Sequence, residues 1–313
     1  MEERRKIPPK PLTTSRSADT LIAFPDPREV IIMDPRELEK QRQMRVVKSN
    51  DLIRKGRFNL SVVEQRIVLY MITKIKPTDE RLDSLSFDIQ EFCEVCGIKY
   101  QQNLSQLKDV IKELADKSMW VNLPNGKKTL IRWIEKPYLD LATGSGIIEL
   151  RLDRDLAPYL LNLKSNFTEY QLISVLALRS KYSIKLYELL KSYCYIGRYE
   201  IRIEDLKEYL LIEEQYKETK YFNKYVIARA IDEINEYTDI EVSYEYIRHG
   251  KVIVGYQFQI LEQEENKNIL ARAYLSKKRP TKYRRELEFK EYTRRSKEVM
   301  DTLQGQISLY DEE

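Results

Sequence analysis

Between residues 49 and 266 the spacing of apolar positions runs through one pattern twice. Over 60–75, Val63, Ile67, Tyr70 and Met71 fall at helical spacing on one face, and the pattern stops before Pro77. The alternation Ser84-Leu-Ser-Phe-Asp-Ile89 predicts a strand, and 90–96 a short helix stopped by Gly97. After a turn at 98–102, a longer helix is predicted over 103–117, with Leu104, Leu107, Val110, Ile111 and Leu114 on its buried face. Strands over 120–123 and 129–134 then flank Asn125-Gly126, a dipeptide that accepts the positive φ angles of a tight hairpin.

The second copy keeps the order: a helix over 180–195, a strand over 199–203, a short helix over 204–210, a long helix over 221–237 and a hairpin over 240–261. Residues 87–98 align on 201–212 without gaps, pairing Phe87 with Ile201, Phe92 with Leu206 and Ile98 with Ile212. After an insertion in the second turn, Ile111 pairs with Ile231, Leu114 with Ile234 and Trp120 with Ile240. Two similar domains therefore follow one another in the chain. Helix, strand, two angled helices and a two-stranded wing make the winged-helix form of helix-turn-helix. The predicted fold class is α+β: two tandem winged-helix domains with flexible N- and C-terminal extensions. The expected divisions are an N-terminal arm (1–45), a first domain (46–164), a second domain (165–262) and a basic extension (263–313).

The second of the paired helices has about the diameter of a major groove, and the wing reaches the neighbouring backbone or minor groove. On 221–237 the apolar stripe is Phe222, Val226, Ala230, Ile234 and Tyr237. That leaves Lys220, Asn223, Lys224, Ile227 and Arg229 pointing elsewhere, with Asp232, Glu233 and Glu236 on the far half, so only the front of the helix suits phosphates. On 103–117 the outward Gln102, Ser105, Gln106, Lys108, Asp109 and Lys112 are polar but weakly charged, which makes the first domain the weaker reader. Lys127 and Lys128 crown the first hairpin; Arg248, His249 and Lys251 crown the second. One exposed lysine is usually only solvated. Hairpin tips, however, rarely need charge for folding.

At 313 residues, 42% hydrophobic and 33% charged, the chain has room for two buried cores. No apolar stretch approaches the ~18 residues of a membrane span. The opening Met-Glu-Glu-Arg-Arg-Lys-Ile-Pro-Pro has charge and proline where a secretory signal needs an apolar core, so a reducing cytoplasm is expected. The net charge of +4 hides a segregation. Residues 1–48 hold 11 Lys/Arg, 8 Asp/Glu and six of the 11 prolines, a composition that predicts disorder. Residues 267–297 set 12 Lys/Arg against Glu286, Glu288 and Glu291, a balance suited to a polyanion or to a solvated tail. His249 is the single histidine of the chain, which argues against a His-rich metal site, a Ser/His/Asp triad and a metal-assisted tyrosine nickase. None of the nine glycines forms a phosphate-cradling motif. Cys93-x-x-Cys96 has no second ligand pair, so these are expected to be buried or idle thiols. No cofactor, metal or catalytic group is expected: the chain is read as a binder and not an enzyme.

The segments Val47-Lys-Ser-Asn-Asp-Leu-Ile53, Leu60-Ser-Val-Val-Glu-Gln-Arg-Ile67, Leu156-Ala-Pro-Tyr-Leu-Leu161, Asn166-Phe-Thr168 and, most specifically, Ser180-Lys-Tyr-Ser-Ile-Lys-Leu-Tyr-Glu-Leu-Leu190 resemble the iteron-binding replication initiators of theta-replicating plasmids. The resemblance covers about 46–262. It implies binding to direct repeats in double-stranded DNA at an origin, opening of the adjacent A·T-rich duplex, recruitment of a host helicase or loader, self-repression with copy control, and a homodimeric form built on the first domain. It also implies Lys220, Asn223, Lys224 and Arg229 as the groove-facing set, with Ser180, Lys181 and Ser183 at a helix N-terminus suited to phosphate. Gln306-Ile-Ser-Leu309-Tyr310 resembles the clamp-binding peptide of bacterial replication proteins, with Gln306, Leu309 and Tyr310 as the pocket-filling residues. The competing reading is a stand-alone winged-helix repressor.

Overall fold

The computed structural model describes residues 33–76, 79–98, 104–122, 128–140, 146–263 and 268–276. The last thirteen residues assigned to the arm, 33–45, enter the fold instead. Asp34 caps α1 (Pro35–Arg42), its carboxylate accepting from the Arg36 N–H at 2.8 Å, and Pro35 occupies the first turn, where a missing N–H costs nothing. Leu38 is buried, and Arg42 Nε donates to the Val95 carbonyl at 2.9 Å. Composition over 1–48 averaged two different segments; the local Asp34-Pro35 signature marks where the second begins. Residues 1–32 lie outside the described residues.

Strand β1 (Arg45–Ser49) leads into α2 (Asn50–Lys55), capped by Ser49, and then α3 (Val62–Thr73). A capping box starts α3: Glu64 N donates to Ser61 Oγ while the Glu64 carboxylate accepts from Ser61 N at 2.6 Å. β2 (Leu85–Asp88) and α4 (Ile89–Val95) follow, with Asp88 as the cap of α4. α5 (Leu104–Asp116) packs on α3, where Lys117 Nζ closes on the buried Glu64 carboxylate at 2.6 Å.

Four strands come next where two were expected: β3 (Ser118–Asn122), β4 (Lys128–Arg132), β5 (Ile134–Asp140) and β6 (Ile147–Leu152). β3 and β4 pair only with each other, whereas β2, β6 and β5 form a three-stranded sheet in that order. The connection continues through a 3₁₀ turn and α6 (Ala157–Leu160) to β7 (Phe167–Gln171), which pairs antiparallel with β1. α7 (Ile173–Leu176) and α8 (Lys181–Lys191) complete this half.

The second half runs β8 (Arg198–Arg202), α9 (Ile203–Leu210), α10 (Thr219–Phe222), a π-helical turn (Asn223–Ile227), α11 (Ala228–Tyr237), β9 (Ile240–His249) and β10 (Val252–Glu262). Its sheet order, β8-β10-β9, is the order β2-β6-β5 again. The wing of the first domain is therefore β5–β6, and β3–β4 is an additional hairpin inserted before it. The expected equivalence of Trp120 with Ile240 fails on burial: Trp120 is 63% exposed, while Ile240 is fully buried. Ile134, buried and paired with Leu152, takes that place as Ile240 pairs with Glu262. The ungapped alignment of 87–98 on 201–212 holds, since Phe92 and Leu206 are both buried and both short helices begin at the matched residues Ile89 and Ile203.

The described residues all fall in one compact unit spanning 31–313. The expected boundary between 164 and 165 runs between the two strands of one sheet, β1 and β7. Helix α8 lies buried against both halves and carries polar groups into that junction. Lys48 Nζ pairs with the Glu188 carboxylate, both side chains at most 4% exposed, and Tyr170 OH donates to the same carboxylate. Tyr187 OH donates to Asp239 at 2.7 Å, Lys191 reaches Asp239 at 2.9 Å, and Arg54 Nε donates to Ser192 Oγ at 3.0 Å. Finally, α12 (Asn268–Ser276), the start of the basic extension, packs on α7 and α11 through the buried Ala271 and Leu275.

The Lys48–Glu188 pair yields a double-mutant test. Glu188→Ala leaves a buried ammonium without its counter-charge and is expected to lower unfolding free energy by about 3–5 kcal/mol. Lys48→Met with Glu188→Leu, which removes both charges, is expected to recover most of that loss. Urea denaturation decides; equal instability of the single and double variants would contradict the pairing.

Candidate nucleic-acid interface

The helix expected to enter the groove in the second domain is continuous from Thr219 to Tyr237 but not uniform. Its middle turn is π-helical: Ala228 N–H bonds to the Asn223 carbonyl, five residues back. The predicted apolar stripe Phe222, Val226, Ala230, Ile234 and Tyr237 is buried, and the extra residue of the wide turn carries Ile227 inward too, against its expected outward position. Glu233 also differs. It is buried, accepting from Arg179 N at 3.0 Å and lying 3.4 Å from Arg179 Nε, so the far half of the helix is less acidic at its surface than the sequence suggested. Asp232 and Glu236 are exposed as expected.

Lys220 and Lys224 are exposed on the front half. Arg229 is 66% exposed, 3.8 Å from Glu233. Asn223 is half-buried, its Oδ1 accepting from Tyr244 OH at 3.1 Å, which ties the helix to the wing strand β9. The sequence reading missed Tyr221 and Tyr225, which stand 43% and 51% exposed beside the two lysines with their rings stacked at 6.1 Å. Their i, i+4 spacing off the apolar stripe was the available signal.

The wing of this domain turns in two residues, Gly250-Lys251, since His249 pairs with Val252. Gly250 has φ +61°, which suits the first position of such a turn. Arg248, His249 and Lys251 are all exposed at its tip. β10 carries a bulge at Ile253/Gly255 in its pairing with β9, and on its other edge, against β8, a Cβ at Gly255 would lie 2.6 Å from the Ile201 carbonyl.

In the first domain Lys108 and Lys112 are exposed on α5 but share its surface with the exposed Asp109, Glu113 and Asp116. Lys128 is exposed at the start of β4, hence on the inserted hairpin and not on the wing. Lys127 lies outside the described residues, as do Gln306, Leu309 and Tyr310.

Helix α8 requires the largest correction. Ser180 is its N-cap, its Oγ accepting from Tyr182 N at 3.2 Å, and Lys181 Nζ donates to Asn59 Oδ1 at 2.8 Å near the surface. Ser183, expected at a phosphate-accessible position, is fully buried, because it sits one turn in on the face that packs on the other elements. Lys185 is buried as well, donating to the Tyr209 carbonyl at 2.6 Å and lying over the rings of Phe58 and Tyr209. The most specific segment of the sequence resemblance is thus a packing helix.

Cys93 and Cys96 are buried, and burial pushes both thiols up to about 12, which leaves them as apolar fillers. Among the described residues no cluster of His, Cys, Asp and Glu could hold a metal, and no helix is long and apolar enough to cross a membrane.

Residues 45–191 match the family described as "Initiator Replication protein, WH1", and 202–260 match "Initiator Rep protein, WH2", together about two thirds of the chain. A replication initiation protein of Escherichia coli is 24% identical over 207 residues, 63% of this chain and 64% of the relative, so the chain spans under two thirds of that relative's length. The PI protein of Escherichia coli is 29% identical over 154 residues, 44% of this chain and 49% of its own. In three dimensions the chain is similar to the Pi initiator protein crystallised in complex with iteron DNA, with a TM-score of 0.61 at 22% identity, covering 72% of this chain and 99% of that one.

The buried Lys185 makes stability depend on pH. Burial, with the Arg57 charge adding, pushes its ammonium down to about 7. Between that value and the ~10.4 of a free lysine the unfolded chain binds one more proton, so stability rises with pH across this window by at most about 1.4 kcal/mol per unit. Urea midpoints of wild type against Lys185→Met, compared from pH 7 to 10, isolate the effect from the tyrosines. A constant difference between the two proteins would contradict the buried, deprotonating lysine.

Proposed function

The chain belongs to the family of winged-helix initiator replication proteins, and from that premise we propose that it is a plasmid replication initiator that binds direct repeats at its origin. The observation that carries the proposal is the pairing of two winged-helix domains in one compact unit, the second with a cationic front on its reading helix. A dimeric repressor needs one reading domain per subunit, whereas tandem domains on one chain suit successive grooves of a site about two helical turns long. The second domain is the main reader, through Lys220, Lys224 and Arg229 on the helix and Arg248, His249 and Lys251 on the wing; Asn223 supports them from its bond to Tyr244. Lys108, Lys112 and Lys128 of the first domain, with Ser180 and Lys181 at the start of α8, take phosphate contacts that set register and not sequence.

Bound at adjacent repeats, the protein opens the neighbouring A·T-rich duplex and recruits a host helicase or loader; bound over its own promoter, it represses its gene. The first domain supports the homodimeric form. Chemistry on DNA forms no part of this role, in keeping with the single histidine. The peptide Gln306-Ile-Ser-Leu309-Tyr310 adds a contact with the bacterial sliding clamp, its glutamine, leucine and aromatic filling pockets on that partner.

A footprint with permanganate reactivity on the DNA flanking the gene tests the central reading. Regularly spaced protected repeats with reactive thymines beside them are expected; one protected palindrome without reactive thymines would indicate a repressor. For the clamp, Leu309→Ala with Tyr310→Ala should abolish co-elution with purified clamp while leaving the footprint unchanged. Undiminished co-elution would remove that contact from the proposal.

A further inference from the structure

We propose that Tyr221 and Tyr225 form an apolar ledge on the reading helix that selects A·T pairs by contact with thymine methyl groups. The inference rests on the reading of 219–237 as the groove-entering helix and names what its front face reads. The two rings lie one helical turn apart, nearly parallel at 15°, and stay 43% and 51% exposed, although Phe222 and Val226 on the same helix are buried. Neither ring packs on the hydrophobic core, and neither hydroxyl has a hydrogen-bond partner among the described residues. About half of each ring is thus left uncovered by the fold.

Lys220 and Lys224 flank the ledge, and Lys224 Nζ lies 5.3 Å from the centre of the Tyr225 ring. The lysines draw the face toward phosphates; the rings supply apolar surface where bases are read. In the major groove the one apolar base feature is the thymine methyl. The rings lie nearly parallel with their centres 6.1 Å apart, so together they offer one continuous apolar surface along the helix front, which suits contact with successive methyl groups. A ring spacing of 6.1 Å against ~3.4 Å per base step places the two contacts about two steps apart.

The test replaces thymine by uracil, one position at a time, in a duplex carrying one repeat from the protein's own origin. Wild-type affinity should fall about fourfold at each of two positions two steps apart, the worth of one buried methyl. Tyr221→Ala with Tyr225→Ala should bind more weakly and be insensitive to both replacements. Tyr221→Phe with Tyr225→Phe, which keeps the ledge, should retain the sensitivity and serves if the alanine variant does not fold. Tight wild-type binding with no uracil effect, or an effect that persists in the alanine variant, would overturn the ledge while leaving the initiator reading intact. Failure of wild type to bind any duplex from its origin would overturn both.

Discussion

The contact on which the architecture depends is the carboxylate of Glu188, buried in the middle of α8 and satisfied by Lys48 from β1 and Tyr170 from β7. A buried charge of this kind is tolerable only if its partners are fixed. Its partners here come from two strands that pair with each other, and its helix packs on the second half of the chain. Nearby, Asn50 at the start of α2 donates to Asn166 and accepts from Thr168, joining the end of β1 to the beginning of β7. The burial of one polar helix thus converts two domains into a single body. Toward the second half the same helix presents Tyr187 and Lys191, which both reach Asp239.

That constraint bears on recognition. Two reading helices joined by a flexible linker would sample many relative positions, and binding both would cost the entropy of fixing them. With α8 packed on elements of both halves, the two helices proposed to read DNA are held within one compact unit. Lys191 extends the bracing to Asp239 and Glu262, at the two ends of the wing hairpin β9–β10, so the wing is tied to the same helix. Asn223 and Tyr244 then couple wing to reading helix. Specific polar contacts thus brace α8 to β1, α8 to the base of the second wing, and that wing to the helix at 219–237.

The sequence was legible where local signals and burial agreed. Helical periodicity, caps and the ungapped match of 87–98 to 201–212 placed both helix-turn-helix cores and the stripe from Phe222 to Tyr237. It misled where a true local signal had a different tertiary meaning. Asn125-Gly126 does lie between two paired strands, but only sheet pairing reveals that they are an insertion, and the actual wing strand alternates Ile148, Leu150 and Leu152 with Glu149 and Arg151 in the expected manner. Ile227 and Glu233 were misassigned because an α-helical wheel does not allow for a π turn or for a carboxylate buried against the Arg179 backbone and side chain. Ser183, Lys185 and Glu188 were the hardest to read, since polar residues look external until their buried partners are known.

The two halves share a topology and differ in surface. The first adds a hairpin whose outer face sets Trp120 directly across from Leu130, both more than half exposed, and its α5 mixes lysines with carboxylates. The second has a short, cationic wing tip and a reading helix whose front carries lysines and tyrosines. Electrostatic attraction to phosphate falls with each acid placed among the bases, and apolar surface is useful in a groove only where it meets a methyl or sugar. By both measures the second half better suits the groove-entering role proposed for it. A fold present twice therefore presents two unequal surfaces. The shared helices and sheet hold each half together, and the residues that differ between their exposed faces decide what each half touches.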